Sequence, residues 1–253
     1  MVNKLTDELA ICGLNAALAA AEYNQENINR LFLREDRLKL FLGICKQLAE
    51  RKRPYKICAD DELEKICKSP RHQGVVVMIK APVLEPLSRE DLESWASEGK
   101  TGLILHHVEN DHNLGAIARS AAFFDAPWIV VPDQVPALTT SAYRVAEGGM
   151  EHVKLRSVRN ISAFVKDASK KLICIGTDTR ARQRLRDLPA ILKDETKKGR
   201  FGIALILGNE ETGLPSDVKD ACSCLVRIPG TGIMESLNVS QAAALFLNKI
   251  YEI

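Results

Sequence analysis

The chain has 253 residues, of which 46% are hydrophobic, so it is long enough to bury a substantial core and to form two domains. Its 35 Lys and Arg nearly balance its 33 Asp and Glu, so net charge by itself indicates no partner. No apolar run approaches the roughly 18 residues that a membrane-spanning helix needs, which excludes that class.

The first part of the chain predicts a helical segment followed by a small α/β domain. Residues 1–27 are rich in Ala and Asn with weak helical periodicity, and we expect an N-terminal helical segment there. Residues 28–80 alternate between helical and β patterns and predict one small domain. Its expected elements are a helix over 38–50, a strand over 55–58, a helix over 60–68 with Asp60 as its N-cap, and a strand over 75–79.

Residues 81–99 are predicted to be a linker and a helix. Pro82 and Pro86 discourage regular structure, and Ser88 with Asp91 forms the pattern of a capping box at a helix start.

Short apolar strands alternate with helices over residues 100–253, which form the predicted second domain. This pattern indicates an α/β fold with a mostly parallel sheet and helices on both faces. The expected strands are 103–105, 128–131, 172–175, 203–207 and 225–228, and the expected helices are 115–124, 161–169, 217–221 and 238–251.

Three loops follow strands of this sheet, where α/β proteins bind ligands. They carry Asn-Leu-Gly-Ala-Ile-Ala-Arg at 113–119, Leu-Gly-Asn-Glu-Glu-Thr-Gly-Leu at 207–214, and Ile-Pro at 228–229 running to Ser-Leu-Asn-Val-Ser at 236–240. The second lacks the Lys-Ser/Thr of a phosphate loop, and no Gly-x-Gly-x-x-Gly follows the first strand. The sequence therefore favours neither a triphosphate site nor a dinucleotide site.

Together these three motifs resemble those of the SpoU (TrmH-type) RNA ribose 2′-O-methyltransferases of the SPOUT class. The resemblance covers residues 101–253, with the motifs in the right order and spacing. Residues 28–80 also resemble, less specifically, the small α/β substrate-binding module that precedes many of these catalytic domains. Residues 31–37 and 72–76 carry that second likeness.

The resemblance implies a deep trefoil knot near the C-terminus, a homodimer, and S-adenosylmethionine as cofactor. It implies methylation of a ribose 2′-hydroxyl in tRNA or rRNA, and no metal. The cofactor-binding positions that match the family are Thr177, Leu207, Gly208, Ile228, Leu237 and Val239. The matching catalytic positions are Asn113, Arg119, Glu210, Ser236 and Asn238. Because a separation of six residues is not quite two turns of helix, we expect Asn113 and Arg119 to lie close on one side of it.

The role of Arg119 follows from the chemistry of the hydroxyl group. A ribose 2′-hydroxyl is a poor nucleophile until it loses its proton, whereas a guanidinium is very hard to deprotonate. We therefore expect Arg119 to stabilise the developing alkoxide rather than to act as a base. The other four polar residues would orient Arg119 and the ribose.

Two basic clusters on the near-neutral chain suit a polyanion such as RNA. Residues 30–56 hold nine Lys and Arg against three acids, and residues 180–200 hold eight against three. An extended backbone over 180–186 would place four arginines on one side. The predicted RNA-binding residues are Arg34, Arg37, Arg51, Arg53, Arg180, Arg182 and Arg184. The alternative is that these clusters are solvated surfaces.

Seven cysteines without a Cys-x-x-Cys pair, and no signal peptide before them, predict a cytoplasmic protein. Two other functions stay open from the sequence: a non-catalytic RNA-binding protein that keeps the fold, and a methyltransferase acting on a base nitrogen. The sequence names neither the RNA nor the nucleotide.

Overall fold

Residues 7–134 and 138–253, which the computed structural model describes, divide into two units. The N-terminal unit combines Met1–Val83 with Leu138–His152, and the C-terminal unit combines Leu84–Ala137 with Val153–Ile253. The first six residues of the predicted segment 1–27 lie outside the described residues. The predicted domain limits stay predictions.

The described strands and helices alternate along most of the chain. The strands are β1 Glu8–Cys12, β2 Ile28–Leu33, β3 Tyr55–Ile57, β4 Val75–Lys80, β5 Thr101–Leu105, β6 Trp128–Pro132, β7 Lys154–Val158, β8 Leu172–Thr177, β9 Gln183–Arg184, β10 Gly202–Leu207 and β11 Cys224–Arg227. The α-helices are α1 Leu14–Tyr23, α2 Leu42–Glu50, α3 Asp60–Cys67, α4 Arg89–Glu98, α5 Asp111–Phe123, α6 Thr140–Ala146, α7 Ile161–Ala168, α8 Leu188–Thr196, α9 Ser216–Ala221 and α10 Val239–Tyr251.

The N-terminal unit is built on a four-stranded mixed sheet in the order β1-β4-β2-β3. β4 pairs antiparallel with both β1 and β2, and β3 joins β2 in parallel. One face buries Cys12, Val76 and Met78 against Leu63 and Cys67 of α3. Because β4 lies next to β1 and β2, it contributes the apolar run that holds this sheet together.

Three details of the N-terminal prediction are wrong. The segment 1–27 is not helical throughout, because β1 occupies Glu8–Cys12 with all five residues buried. The apolar run of β1 is too short for its periodicity to distinguish a strand from a helix. The strand with which β1 pairs, β4, lies far along the chain, so the local sequence does not reveal the pairing. Asp60 is the first residue of α3 rather than its N-cap, which is Ala59. The predicted helix 38–50 begins with a 3₁₀ segment, Glu35–Phe41, before α2.

The C-terminal unit contains a seven-stranded sheet in the order β7-β6-β5-β10-β8-β11-β9. Every pairing in this sheet is parallel, as the predicted α/β class requires. The five predicted strands are present, and β10 is buried along its whole length. The sequence missed β7, a half-exposed strand at the edge of the sheet with charged Lys154 and Arg156, and the two-residue β9.

The order of strands determines where ligands can bind. β10 lies between β5 and β8, and β11 follows β8, so the carboxyl ends of these four parallel strands meet at one edge of the sheet. The main chain joins their ends: the amide of His106 donates to the carbonyl of Leu207 at 2.8 Å, and that of Asp178 to Val226 at 3.2 Å. The loops that follow these strands therefore start side by side.

Candidate active site

A cavity of about 1030 Å³ opens where the loops after β8, β10 and β11 meet the start of α10. Its volume is at the upper end of the range of about 300–1,000 Å³ that small-molecule sites occupy. All six predicted cofactor-binding residues line it, namely Thr177, Leu207, Gly208, Ile228, Leu237 and Val239. These positions are spread over more than 60 residues of sequence, and the parallel sheet brings them together.

The loop after β10 is a tight turn that depends on glycine. A Cβ atom on Gly208 would lie 2.7 Å from the amide nitrogen of Leu214, which a side chain cannot tolerate. The Asn209 side-chain oxygen accepts hydrogen bonds from the amides of Glu211 at 2.9 Å and Thr212 at 3.2 Å. Because Gly208 has no side chain, its backbone can form part of the cavity wall.

The cavity lining has the chemistry that a nucleoside with an amino-acid tail requires. Leu214, Val239 and Phe246 are buried apolar residues on its wall and can pack against an adenine ring. Thr177 is held in place by its hydroxyl, which donates to the carbonyl of Ile206 at 3.1 Å. The loops also bring main-chain groups and both signs of charge to the cavity. These residues fit S-adenosylmethionine.

Three of the predicted catalytic residues form one hydrogen-bonded network. Asn113 is only 8% exposed. Its side-chain oxygen accepts from the amide of the Asn238 side chain at 3.0 Å, and its own side-chain amide donates to the Glu210 carboxylate. Glu210 also lines the cavity. The fold thus joins one residue from each of the three sequence motifs.

Asn238 has a second role at the start of α10. It is the N-cap of this helix, and its side-chain oxygen accepts from the amide of Ser240 at 2.9 Å. Asn238 therefore has both roles at once. Its side-chain oxygen caps the helix, and its side-chain amide group joins the polar network.

Ser236 and Arg119 are placed differently from the network. Ser236 is exposed and lines the cavity. Arg119 is exposed on α5, whereas Asn113 of the same helix is buried. Six residues of an α-helix span about 9 Å and fall about 120° short of two full turns, so the two residues do not share a face. The expectation that they lie close together on one side of the helix is wrong.

The predicted RNA-binding arginines of the N-terminal unit are largely engaged in the fold. Arg34 pairs with Asp36 at 2.8 Å and with Asp60 at 3.2 Å. The guanidinium of Arg37 donates to the carbonyl of Gln73 at 3.2 Å. Arg51 donates to the carbonyl of Gln25 at 3.0 Å and Arg53 to that of Glu26 at 3.2 Å. These contacts hold loops together, so part of the basic cluster has a structural role.

The alternating arginines of the second cluster suggested one extended segment. In the structure they do not share one. The chain turns at 179–180, forms β9 and then enters a 3₁₀ turn at Leu185–Asp187. Arg180 is exposed and lines the cavity, Arg182 is exposed, and Arg184 is half-buried in β9.

Three charged residues of the cavity lie outside the three sequence motifs and were not singled out from the sequence. Asp178 follows β8, Arg227 ends β11, and Lys219 lies in α9. Asp178 and Lys219 form an ion pair at 2.8 Å. Asp178 and Arg227 could have been found from the sequence, because they lie at the carboxyl ends of predicted strands. No sequence pattern marks Lys219 as a site residue.

Comparison with known proteins identifies the family. Residues 100–248 match the SpoU rRNA methylase family, and residues 10–83 match the family described as RNA 2′-O ribose methyltransferase substrate binding. A Bacillus subtilis protein named as a putative TrmH family tRNA/rRNA methyltransferase, YacO, is 33% identical over 72% of this chain and 70% of its own. The 23S rRNA (guanosine-2′-O-)-methyltransferase RlmB of Acinetobacter baylyi is 31% identical over 93% of each chain.

Solved structures share the fold. An rRNA methyltransferase from Sinorhizobium meliloti, solved with bound AdoMet, superposes with a TM-score of 0.77 at 19% identity, over 98% of this chain and 88% of the other. An RNA 2′-O ribose methyltransferase superposes with a TM-score of 0.74 at 22% identity, over 97% and 88%.

Fold and site thus define an α/β enzyme with its ligand cavity at the carboxyl ends of a parallel sheet, preceded by a substrate-binding unit. The chain belongs to the SpoU rRNA methylase family. It is an RNA 2′-O-ribose methyltransferase that uses S-adenosylmethionine. The predicted class, reaction and cofactor are thereby confirmed, and the chain is an enzyme rather than a non-catalytic RNA-binding protein. Within the described residues, no helix has both the length and the apolar character to cross a membrane.

Proposed function

We propose that this enzyme methylates the ribose 2′-hydroxyl of a guanosine in 23S rRNA. Support comes from RlmB of Acinetobacter baylyi, which is named for that reaction and matches this chain over 93% of both sequences. Relatives named for either tRNA or rRNA include one that is 33% identical over 72% of this chain and one that is 25% identical over 97% of it. The proposed substrate is the one named for relatives that combine at least 30% identity with a match over both units.

The cofactor site is the cavity at the carboxyl ends of the strands. S-adenosylmethionine supplies an electrophilic methyl group carried on a sulfonium. Backbone groups around Thr177, Leu207, Gly208, Ile228, Leu237 and Val239 hold it. The protein's own contribution is to align the ribose with that methyl group and to manage the charge that the hydroxyl develops.

The single observation that carries the catalytic proposal is the network that joins Asn113, Glu210 and Asn238. Because Asn113 is buried and bonded on both sides, the Glu210 carboxylate is held in a fixed position beside the cavity. This network and Ser236 orient the ribose. The 2′-hydroxyl passes its proton to a phosphate oxygen of the substrate RNA, and from there to solvent, as its oxygen accepts the methyl group. Arg119 stabilises the negative charge that develops on that oxygen, since a guanidinium does not act as a base at neutral pH.

RNA binding would combine the N-terminal unit with the exposed arginines beside the cavity. Arg180 and Arg182 are accessible to a phosphate backbone, and Arg184 is half-buried next to them. The engaged arginines Arg34, Arg37, Arg51 and Arg53 would contribute positive potential while they hold their loops.

Three further properties belong to the proposal. A homodimer would cover the apolar surface that α5 and α10 expose, where Phe123 is 80% and Tyr251 67% accessible. The C-terminal trefoil knot stays a prediction, because strand order alone does not trace how the chain threads. All seven cysteines lie in the described part of the chain and are free, which supports a cytoplasmic location.

The test is a methylation assay with purified enzyme, radiolabelled S-adenosylmethionine and 23S rRNA, followed by mapping of the modified nucleotide. We expect one 2′-O-methylguanosine in 23S rRNA and none in tRNA. Methylation of tRNA alone would overturn the choice of substrate.

Arg119→Ala should reduce methyl transfer by at least about 100-fold, the scale of losing one preorganised stabilising group. Its affinity for S-adenosylmethionine, measured by calorimetry, should stay within a few-fold of the wild type. Arg186→Ala, at an exposed arginine outside the predicted site, is the control. Full activity of Arg119→Ala would refute the assignment.

A further inference from the structure

Arg227 has a buried donor that the described residues of the chain leave unpaired. It is the last residue of β11 and lines the cavity. Its Nε is shielded from solvent and has no hydrogen-bond partner among the described residues. A buried, unpaired N–H is costly, and more so on a charged group, so a native structure rarely keeps one without a purpose. The position calls for an acceptor that comes from outside the chain.

The surroundings of Arg227 add positive charge. Arg227 stands directly opposite Arg184 in the parallel pairing of β11 with β9, so the two side chains leave the sheet on the same side. Two carboxylates on adjacent segments are already engaged. Asp178 pairs with Lys219 at 2.8 Å, and Asp187 accepts the amide of Arg184 at 2.7 Å. Two arginines that leave the same side of the sheet at paired positions favour an anion near them.

We propose that Arg227 binds the carboxylate of the methionine portion of S-adenosylmethionine. This inference rests on the proposed function, because it concerns the same cavity. The carboxylate is the one anionic group of this cofactor, since its amine and sulfonium are cationic and its adenosine is neutral. A guanidinium matches a carboxylate in shape and in charge.

The position of Arg227 favours the cofactor over an RNA phosphate as the source of that anion. Its Nε is buried in the cavity wall, and the half-buried Arg184 opposite it does not line the cavity. A phosphate of the RNA backbone would be expected to meet the exposed Arg180 and Arg182 first. Arg227 thus orients the tail of the cofactor, and Arg184 adds to the positive potential there.

Calorimetry on the wild-type enzyme tests this without any mutation. The two ligands are S-adenosylmethionine and decarboxylated S-adenosylmethionine, which keeps the amine and the sulfonium but has no carboxylate. We expect the decarboxylated ligand to bind about 10- to 100-fold more weakly, as for the loss of one charged hydrogen-bonded contact. Equal affinities would overturn the proposal.

Arg227→Gln then assigns the difference to this residue. The variant should bind S-adenosylmethionine about 10- to 100-fold more weakly and decarboxylated S-adenosylmethionine as the wild type does, so that its preference disappears. Arg186→Gln, at an exposed arginine of the neighbouring 3₁₀ turn, should keep the full preference. An equal loss for both ligands would make Arg227 a structural residue and refute the proposal, as would weaker RNA binding with unchanged cofactor binding.

The outcome also separates this inference from the proposed function. A wild-type enzyme that binds neither ligand would contradict the cofactor site itself. A wild-type enzyme that binds both ligands equally and still methylates RNA would contradict only the role of Arg227.

Discussion

At the scale of single residues, buried polar groups determine the chemistry of this enzyme. Asn113 is an amide in an apolar helix, and its burial is tolerated because Asn238 and Glu210 satisfy its two ends. An amide can accept and donate at once, which a carboxylate cannot do at neutral pH. Asn113 is therefore suited to link a second amide to a carboxylate and to hold both in position.

Glu151 is a polar residue of a different kind, a half-buried carboxyl. It lies in the 3₁₀ turn Gly149–His152 of the N-terminal unit, and its Oε1 is buried without a partner among the described residues. Burial raises the pKa of this carboxyl from 4.5 to about 7, against a smaller lowering by a hydrogen bond with Asn24. The native state therefore holds this proton more tightly than the unfolded chain does.

The raised pKa of Glu151 predicts that the protein loses stability as pH rises. The loss begins near the unfolded pKa of 4.5 and is complete above the native pKa of about 7. Glu151→Gln removes this penalty and should raise the free energy of unfolding at pH 8 by up to about 3 kcal/mol relative to the wild type. Near pH 4.5 the two proteins should be nearly equal.

Urea unfolding of both proteins at pH 5 and pH 8 measures this effect. Glu64→Gln, at an exposed position of α3, is the matched control. The prediction fails when Glu151→Gln changes stability equally at both pH values.

At the scale of elements, local hydrogen bonds decide where helices begin. The amide of Asp91 donates to the Ser88 hydroxyl at 3.0 Å, and the amide of Ser88 donates to the Asp91 carboxylate at 3.1 Å. This capping box was predicted from the sequence and is confirmed at the start of α4. The N-cap predicted at Asp60 is wrong, because that carboxylate accepts from Arg34 instead.

Ser88→Ala should therefore lower the free energy of unfolding by about 1 kcal/mol, the usual cost of removing an N-cap side chain. Ser88→Thr keeps the acceptor and should lose much less. Ser97→Ala, near the other end of the same helix, should stay within about 0.5 kcal/mol of the wild type. Chemical denaturation of the four proteins gives the comparison, and equal losses for Ser88→Ala and Ser88→Thr would argue against capping.

At the scale of the whole molecule, the chain order does not follow the division into units. Residues Leu138–His152 follow β6 in sequence but belong to the N-terminal unit, and the chain then returns to the C-terminal sheet as β7. Within the N-terminal unit, the side-chain amide of Asn15 in α1 donates to Glu147 at 3.1 Å. A Cβ on Gly148 would lie 2.8 Å from that of Ala19, so Gly148 allows this segment to approach α1 closely.

The apolar surface of α5 and α10 predicts self-association. Phe123, Leu245 and Tyr251 are exposed large apolar side chains on these two helices, and such a surface usually marks an interface. Leu245→Glu should shift the protein from dimer to monomer in analytical ultracentrifugation. Lys166→Glu, on the exposed side of α7, should leave the dimer intact. A wild-type protein that sediments as a monomer at micromolar concentration would contradict the interface.

The sequence by itself determined the class of fold, the family and most strands of the larger sheet. Continuous apolar runs between helices admit few arrangements other than a covered parallel sheet, and three motifs in register identify the enzyme family. These signals are local, because apolar pattern, glycine positions and capping residues act within a few residues of each other. The strands that the sequence missed are β1, β2 and the edge strands β7 and β9. They depend on pairing with distant segments, or they are too short or too polar to show a pattern.

Only the tertiary structure decided which polar residues work together. Asn113, Glu210 and Asn238 are far apart in sequence and meet because β5, β10 and β11 end at one edge of the same sheet. The same convergence places Arg227 at the cavity wall, with a buried Nε that no described residue pairs with. Burial and hydrogen bonding between distant residues are properties of the folded chain. The sequence motifs therefore predicted which residues belong to the site, whereas the fold determines the contacts among them.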